Sequence, residues 1–435
     1  MGLQKTPSFT LSEEGSFLSN DGIEISPRGI VRTPSSSSSI DGSLSRGTFF
    51  ETTSLSVSSL EELEPLHELG AGASGNVRLA RHRPSGRLLA LKIINVVAER
   101  EKRRQIMNEI RILFSVQHPN LVPLYDAFYT EGYVYLALRY MDGGSLEHLL
   151  SSYQRLAVQA GIDALGLPAH VLRTIIAQVV CGLQHLHDKR LVHRDLKPAN
   201  ILIDSTGVVA VADFGMSKML EETRGMARSF VGTAAYMAPE RIRGSDHSAP
   251  SDIWSLGIIC VECAQGYHPY RHVLSYFDLV IEITDSTTLP RLATANFSAA
   301  LCDLSAICIT RNPPERPSSD ALLMHPFITN GESSSSQPGH HSFLAAAAGV
   351  ELGAWIADTF GIQRPPPASG VQHTATGPND MTVDSDMAAD GGGGACAAES
   401  SAARIQAHWH GSQTRRELEE LRELEREAMQ LGMQG

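Results

Sequence analysis

Eight consecutive residues, His193-Arg194-Asp195-Leu196-Lys197-Pro198-Ala199-Asn200, constrain this chain more than any other stretch of it. They hold a carboxylate, a cation and a carboxamide in fixed register. A loop carboxylate at Asp195 can orient an acceptor hydroxyl and take its proton, and the Asn200 side-chain oxygen can help hold a metal ion. Lys197 can balance the charge of a phosphate being moved. Three such residues alone mean little. They become specific when a second metal-binding carboxylate, a glycine-rich phosphate cover and a strand lysine surround them in the right order.

That order is present. Leu66, Leu69, Val77 and Leu79 flank Gly70-Ala71-Gly72-Ala73-Ser74-Gly75 in a strand, turn, strand pattern. Leu69 through Val77, Asn76 included, thus form a cover whose backbone amides can close over phosphates. Dinucleotide-binding folds also use Gly-x-Gly-x-x-Gly, but there a helix follows the loop, whereas Val77-Arg78-Leu79-Ala80 reads as a strand. The next strand, Leu88 to Ile94, carries Ala90 and Lys92, a cation that needs anionic partners inside an apolar strand. Those partners are nucleotide phosphates and a glutamate. The helical period of Ile106, Ile110 and Leu113 favours Glu109, with Glu99 and Glu101 as competitors in a charged cluster. Tyr133 to Leu138 is a strand, and the connector after it offers backbone groups at Arg139 and Met141 to an adenine base, with Leu138 behind the pocket. A polar insertion, Ser151 to Pro168, and a helix, His170 to His187, lead to the octet; His185 and His187 read as structural or surface residues. Asp213-Phe214-Gly215 follows the apolar strand Val208 to Ala212 and brings a second carboxylate to the same metal site.

Outside this region the chain changes character. Residues 1–60 contain 22 Ser or Thr and few large apolar side chains, so they read as a disordered tail, with Thr6, Ser26 and Thr33 each before a proline. The Met1-Gly2 start with Thr6 fits an acylation pattern that Pro7 argues against. A net charge of −12 without a basic block argues against nucleic acid. Cys181, Cys260, Cys263, Cys302 and Cys308 lie in apolar stretches with no secretory leader, which suggests reduced thiols in the cytoplasm, with the nucleus also open to the chain. The pair Cys260 and Cys263 reads as core, against a metal site. Residues 329–400 form a low-complexity linker around an apolar helix, 343–360, which Glu351 and Asp358 make too polar for a membrane span. That helix is expected on the large lobe. A helical segment, 401–431, closes the chain, its Leu418, Leu421 and Leu424 also suited to a helical self-contact.

From Leu66 to Phe327, about three fifths of the chain, the sequence resembles the eukaryotic protein kinases, with Ala238-Pro239-Glu240 and Asp252-Ile253-Trp254-Ser255-Leu256-Gly257 also in place. The resemblance implies an α+β, bilobal kinase fold over residues 61–328. A small β-rich N-lobe would span 61–138 and a large helical C-lobe 142–328, with ATP and Mg2+ as cofactors. It implies that Glu240 braces the large lobe through Arg316 and that Asp252 holds the catalytic loop, and Lys197 with Thr233 points to Ser/Thr chemistry. Ser229-Phe230-Val231-Gly232-Thr233 leading to Tyr236-Met237-Ala238-Pro239-Glu240-Arg241-Ile242 is similar to the mitogen-activated protein kinase kinases, as is Asn312-Pro313-Pro314-Glu315-Arg316-Pro317. Gly15-Ser16-Phe17-Leu18 with Asp21-Gly22 is similar to the leader of the plant members. Thr223 and Ser229 stand at the plant spacing of the family's two activating phosphoacceptors. The implied partners are an upstream kinase and a downstream mitogen-activated protein kinase phosphorylated on Thr and Tyr. The family's docking peptide wants a basic cluster, whereas the N-terminal tail has only Lys5 and Arg28 to Arg32. Ile405, Gln406, Gly411 and Arg415 resemble the IQ motif that binds calmodulin, with His410 where a basic residue is usual. Two rivals stand beside this reading: a non-catalytic kinase-shaped scaffold, and another Ser/Thr kinase, either upstream in such a cascade or regulated by calmodulin.

Overall fold

The computed structural model describes residues 55–72, 75–95, 110, 112–113, 116–162, 166–213, 232, 234–245, 248–273, 275–330 and 340–360, with four short stretches between residues 9 and 32. It forms two compact units, Met1–Leu352 and Gly353–Gly435.

In the first unit, a five-stranded antiparallel sheet is built from β5 (Leu63–Gly72), β6 (Gly75–His82), β7 (Leu88–Asn95), β8 (Leu124–Thr130) and β9 (Tyr133–Arg139), in the order β5-β6-β7-β9-β8. Strand alternation sorts β7 into two faces. Leu89 and Leu91 pack with Val57, Leu63, Ala80, Phe128 and Ala137. Ala90 and Lys92 point the other way, beside their cross-strand partners Leu138, Leu136 and Val77.

Before this sheet stand β1 (Phe9–Leu11), β2 (Phe17–Ser19), β3 (Ile23–Ser26) and β4 (Gly29–Arg32), an antiparallel meander whose β3 and β4 lie against β8. Ile25 is completely buried. These short strands fall inside the segment expected as a disordered tail. The Ser-rich average hides a local period of two, Ile23 and Ile25, with Ile25 opposite Ile30, and turn formers Asp21-Gly22 and Pro27 between strands.

The helical lobe begins with α1 (Leu146–Gln159), whose residues after Leu150 run into the stretch expected as a polar insertion, Ser151 to Pro168. Leu146, Leu149, Leu150 and Ala157 are its buried stripe, and the Ser145 hydroxyl accepts from His148 N at its start. Helix α2 (Ala169–Asp188) buries Leu172, Ile175, Ile176, Val179, Leu183 and Leu186, the spacing of one helical face. It packs on α3 (Ala249–Gln265), which is buried from Ser251 to Ala264 except at Glu262 and ends at Gly266 with φ +83°, the left-handed cap that glycine adopts freely. Helices α4 (Tyr276–Thr284) and α5 (Ala299–Cys308) follow, α5 against α3. Cys260 and Cys263 sit inside α3; burial pushes the Cys260 thiol up to about 12, and no group of three or more metal-ligating residues occurs among the described residues.

Among the described residues the last helix is α6 (His340–Phe360), which begins three residues before the expected 343. Its Gly349 sits over Gly207, where an added Cβ would lie 3.3 Å from the Gly207 carbonyl. In the second unit, the rings of Trp355 and Phe360 meet edge-on at 6.1 Å. Among the described residues no helix is long and apolar enough to cross a membrane.

Candidate active site

The cover of the cleft is the β5–β6 hairpin, in which Gly70 pairs with Val77, Ala71 with Asn76 and Gly72 with Gly75. Gly75 has φ +122°, and a Cβ there would collide with the Ile93 carbonyl of β7, so only glycine allows this approach. Ala73 and Ser74, at the tip, lie outside the described residues. Leu69 and Val77 are partly buried, and Ala90 is held between Leu79 and Leu138.

Lys92 is 2% exposed, and its Nζ lies 2.7 Å from Asp213 Oδ1. A buried ammonium needs such a partner. Burial pushes the Asp213 carboxyl up, but the charge and hydrogen bond of Lys92 outweigh it and leave the group below the usual carboxylate range. Glu109, the expected partner of Lys92, lies outside the described residues.

The octet runs from a loop into a helical turn at Pro198–Asn200, ahead of the hairpin β10 (Ile201–Ile203) and β11 (Val209–Val211). Asp195 Oδ2 is 3.0 Å from Lys197 Nζ and accepts from Asn200 Nδ2 at 3.1 Å. Asn200 Nδ2 also donates to the Asp195 carbonyl at 2.7 Å, which turns its oxygen away from that contact. Asp252, buried in α3, braces the loop from beneath: its carboxylate accepts from His193 N at 2.9 Å, Arg194 N at 3.0 Å and His187 Nε2 at 2.9 Å. His193 in turn joins the Ala212 carbonyl at 2.9 Å and so ties the octet to the residue before Asp213.

Arg194 (φ 72°) and Asp213 (φ 58°) both occupy the left-handed region, which non-glycine residues enter at a cost of about 1–3 kcal/mol. Such strain is concentrated at functional positions. Arg194 Nε is buried with no hydrogen-bond partner among the described residues, while Arg241 donates to the Arg194 carbonyl. Glu240 and Arg316 make the expected brace, at 2.7 and 2.8 Å.

At the back of the cleft, Met141 packs with Val122 and Ala210, and Leu138 and Leu202 join that cluster. Leu202 was not evident from the sequence, where it reads as one more apolar strand residue. Two further contacts were also missed: Arg139 Nη2 lies 2.6 Å from Asp204 Oδ2, and the Tyr236 phenol donates to Glu262 at 2.7 Å. Thr223, Ser229, Ile405, Gln406, Gly411 and Arg415 lie outside the described residues.

The protein kinase domain family matches residues 63–328. Mitogen-activated protein kinase kinase 2 of Arabidopsis thaliana is 40% identical over 277 residues, which cover 62% of this chain and 73% of the relative. Mitogen-activated protein kinase kinase 1 of the same plant is 40% identical over 284 residues, 63% of this chain and 77% of the relative. The dual specificity mitogen-activated protein kinase kinase dSOR1 of Drosophila melanogaster is 32% identical over 341 residues, 72% of this chain and 78% of the relative. With a lysine, two acids and an asparagine gathered under a glycine-rich hairpin and these relatives beside it, the chain belongs to the protein kinase family, among its mitogen-activated protein kinase kinases.

Proposed function

We propose that this kinase transfers the γ-phosphate of ATP to Thr and Tyr in the activation loop of a downstream mitogen-activated protein kinase. An upstream kinase switches it on at Thr223 and Ser229. The single observation that carries the chemistry is the meeting of Asp195, Lys197 and Asn200 with the Lys92–Asp213 pair, drawn from strands and loops far apart in sequence.

Each group has a role there. Asp195 receives the proton of the acceptor hydroxyl, and Lys197, 3.0 Å away, offsets charge on the phosphate in transit. Lys92, with Glu109, positions the nucleotide phosphates under the backbone of Leu69 to Val77, and the connector at Arg139 and Met141 meets the adenine beside Ala90. Asn200 and Asp213 suit Mg2+: the Asn200 amide nitrogen is committed to Asp195, which leaves its oxygen, and Lys92 contacts only one Asp213 oxygen. Held by Asn200 and Asp213, Mg2+ would supply positive charge to offset that of the phosphates.

The same reading takes residues 61–328 as the catalytic unit, places the chain in the cytoplasm and assigns the segment holding Ile405, Gln406, Gly411 and Arg415 to calmodulin. Capture of the full chain on calmodulin resin in Ca2+ or in chelator tests the last point.

The decisive experiment incubates the Thr223→Glu, Ser229→Glu protein with Mg-ATP and a kinase-dead mitogen-activated protein kinase, then maps phosphosites by mass spectrometry. Phosphate on both Thr and Tyr of the substrate loop, absent with Asp195→Ala, is the expected result. Modification of only Ser or Thr on a generic protein would overturn the substrate assignment while leaving the chemistry intact.

A further inference from the structure

The ion pairs Lys92–Asp213, inside the cleft, and Arg139–Asp204, at the connector, both join the strand lobe to the helical lobe. Only the first has a role so far. Arg139 is the last residue of β9, paired in register with Leu89 and tied through its backbone N–H to the Pro123 carbonyl at 3.1 Å. Its guanidinium reaches across to Asp204, which sits in the β10–β11 turn and is 5% exposed.

Asp204 is itself held rigid. Its Oδ1 accepts from Thr206 N at 3.0 Å, Thr206 Oγ1 at 2.6 Å and Val208 N at 2.9 Å, which leaves Oδ2 for Arg139. The next residue, Ser205, gives Asp142 two hydrogen bonds of 2.7 Å, from its N–H and its hydroxyl. Adjacent turn residues therefore grip both ends of the connector, at 139 and at 142, with Met141 between them. The Ile203 N–H donates to the Gly144 carbonyl at 2.8 Å just beyond.

We propose that Arg139 is a positioning residue for the nucleotide: through Asp204 it locks the connector so that the backbone at 139 and 141 is already set for the adenine edge. The inference rests on the assignment of that connector as the adenine site. Stability alone does not explain the pair, because Arg139 is 35% exposed and a partly solvated ion pair contributes little net stability. Its value is preorganisation. A backbone edge that must meet a planar base loses affinity when the connector wanders, since ordering it is then charged to binding.

The test is a double-mutant cycle on the full chain with Arg139→Met and Asp204→Asn, titrated with a fluorescent ATP analogue and Mg2+. Asn at 204 keeps an acceptor for the turn and removes the charge facing Arg139. Each single change is expected to raise the dissociation constant about five- to tenfold, and the pair together no more than the worse single. Arg139→Lys should recover most of the affinity. In steady state, the Michaelis constant for ATP should rise more than turnover falls. Affinity of Arg139→Met within about twofold of the parent overturns the inference, as do single effects that multiply. Arg139→Met carries the test if Asp204→Asn fails to fold. Ala90→Phe separates the two levels: it should abolish binding of the analogue. If it does so while Arg139→Met binds normally, the latch alone fails; if Ala90→Phe binds normally, the adenine site itself is misassigned.

Discussion

Single residues in this chain matter through the partners that burial forces on them. Arg316 is 5% exposed and donates to Glu240 through both terminal nitrogens, to the carbonyls of Thr310, Pro250 and Arg311, and lies 5.1 Å over the Trp254 ring. Arg316→Ala leaves a carboxylate and three carbonyls without that donor, so a loss of about 3–5 kcal/mol is expected in urea unfolding. Lysine should restore only part of it, for want of the planar fork. Arg194 presents the opposite case, a cation whose Nε lacks a partner among the described residues. Under the proposed activation, a phosphate on Ser229 would offer such a cation one to three charge-assisted hydrogen bonds. Ser229→Ala should therefore cut activity at least tenfold while leaving ATP binding intact, and near-normal turnover of the purified variant would refute the switch. The types and order of Lys92, Asp195, Asn200 and Asp213 were legible in the sequence. The Lys92–Asp213 contact was not, because 121 residues separate its members.

At the scale of elements, legibility followed period. β7, β9 and α2 announce themselves through alternation or a helical stripe, and the structure extends each by no more than a residue or two at either end. α1 was only half legible: its start follows the connector that ends at Gly144, but past Ser151 it buries only Ser152 and Ala157, too sparse a stripe to stand out from a polar insertion. β1 to β4 were hidden by averaging: strands of three or four residues vanish in a Ser-rich composition, and β3 and β4 find a surface to bury on only once β8 exists. α3 is apolar almost all round, which marks a helix buried on every side. It has no slack at Gly257, where an added Cβ would come within 2.7 Å of Cys308 Cβ and Ile309 Cγ1 in α5 and the residue after it. Gly257→Ala should cost about 1–3 kcal/mol, read as a lower urea midpoint with unchanged slope.

For the whole molecule, buried titratable groups set how stability changes with pH. Burial takes His268 from 6.5 to about 4, and burial with His185 does the same to His118. An imidazole depressed in the folded chain contributes stability that is complete above 6.5 and is lost as pH falls toward 4. Burial and the charge of Glu147 raise Glu262 to about 7 against its hydrogen bond from Tyr236, so its contribution runs the other way, complete below 4.5 and lost as pH rises through 7. Two imidazoles outweigh one carboxyl, and the melting temperature should climb from pH 5 to pH 6.5. Glu262→Gln removes the opposing group and should steepen that climb; a flat profile in both proteins would contradict the balance. Glu240 below 4.5 and Asp252 below 3.8, which burial pushes up but Arg316 and His187 with His193 hold low, add a further loss. None of these shifts is visible in a list of residues, since each depends on what covers the group. The sequence by itself determined which groups the reaction can use and in what order they come along the chain, because strand and helix periods and glycine-rich turns are local properties of the backbone. Only the tertiary structure decided that Lys92 meets Asp213, that Arg139 reaches Asp204, and that β3 and β4 lie against β8, because long-range pairing is chosen by which buried charges and apolar faces can satisfy one another once the lobes have formed.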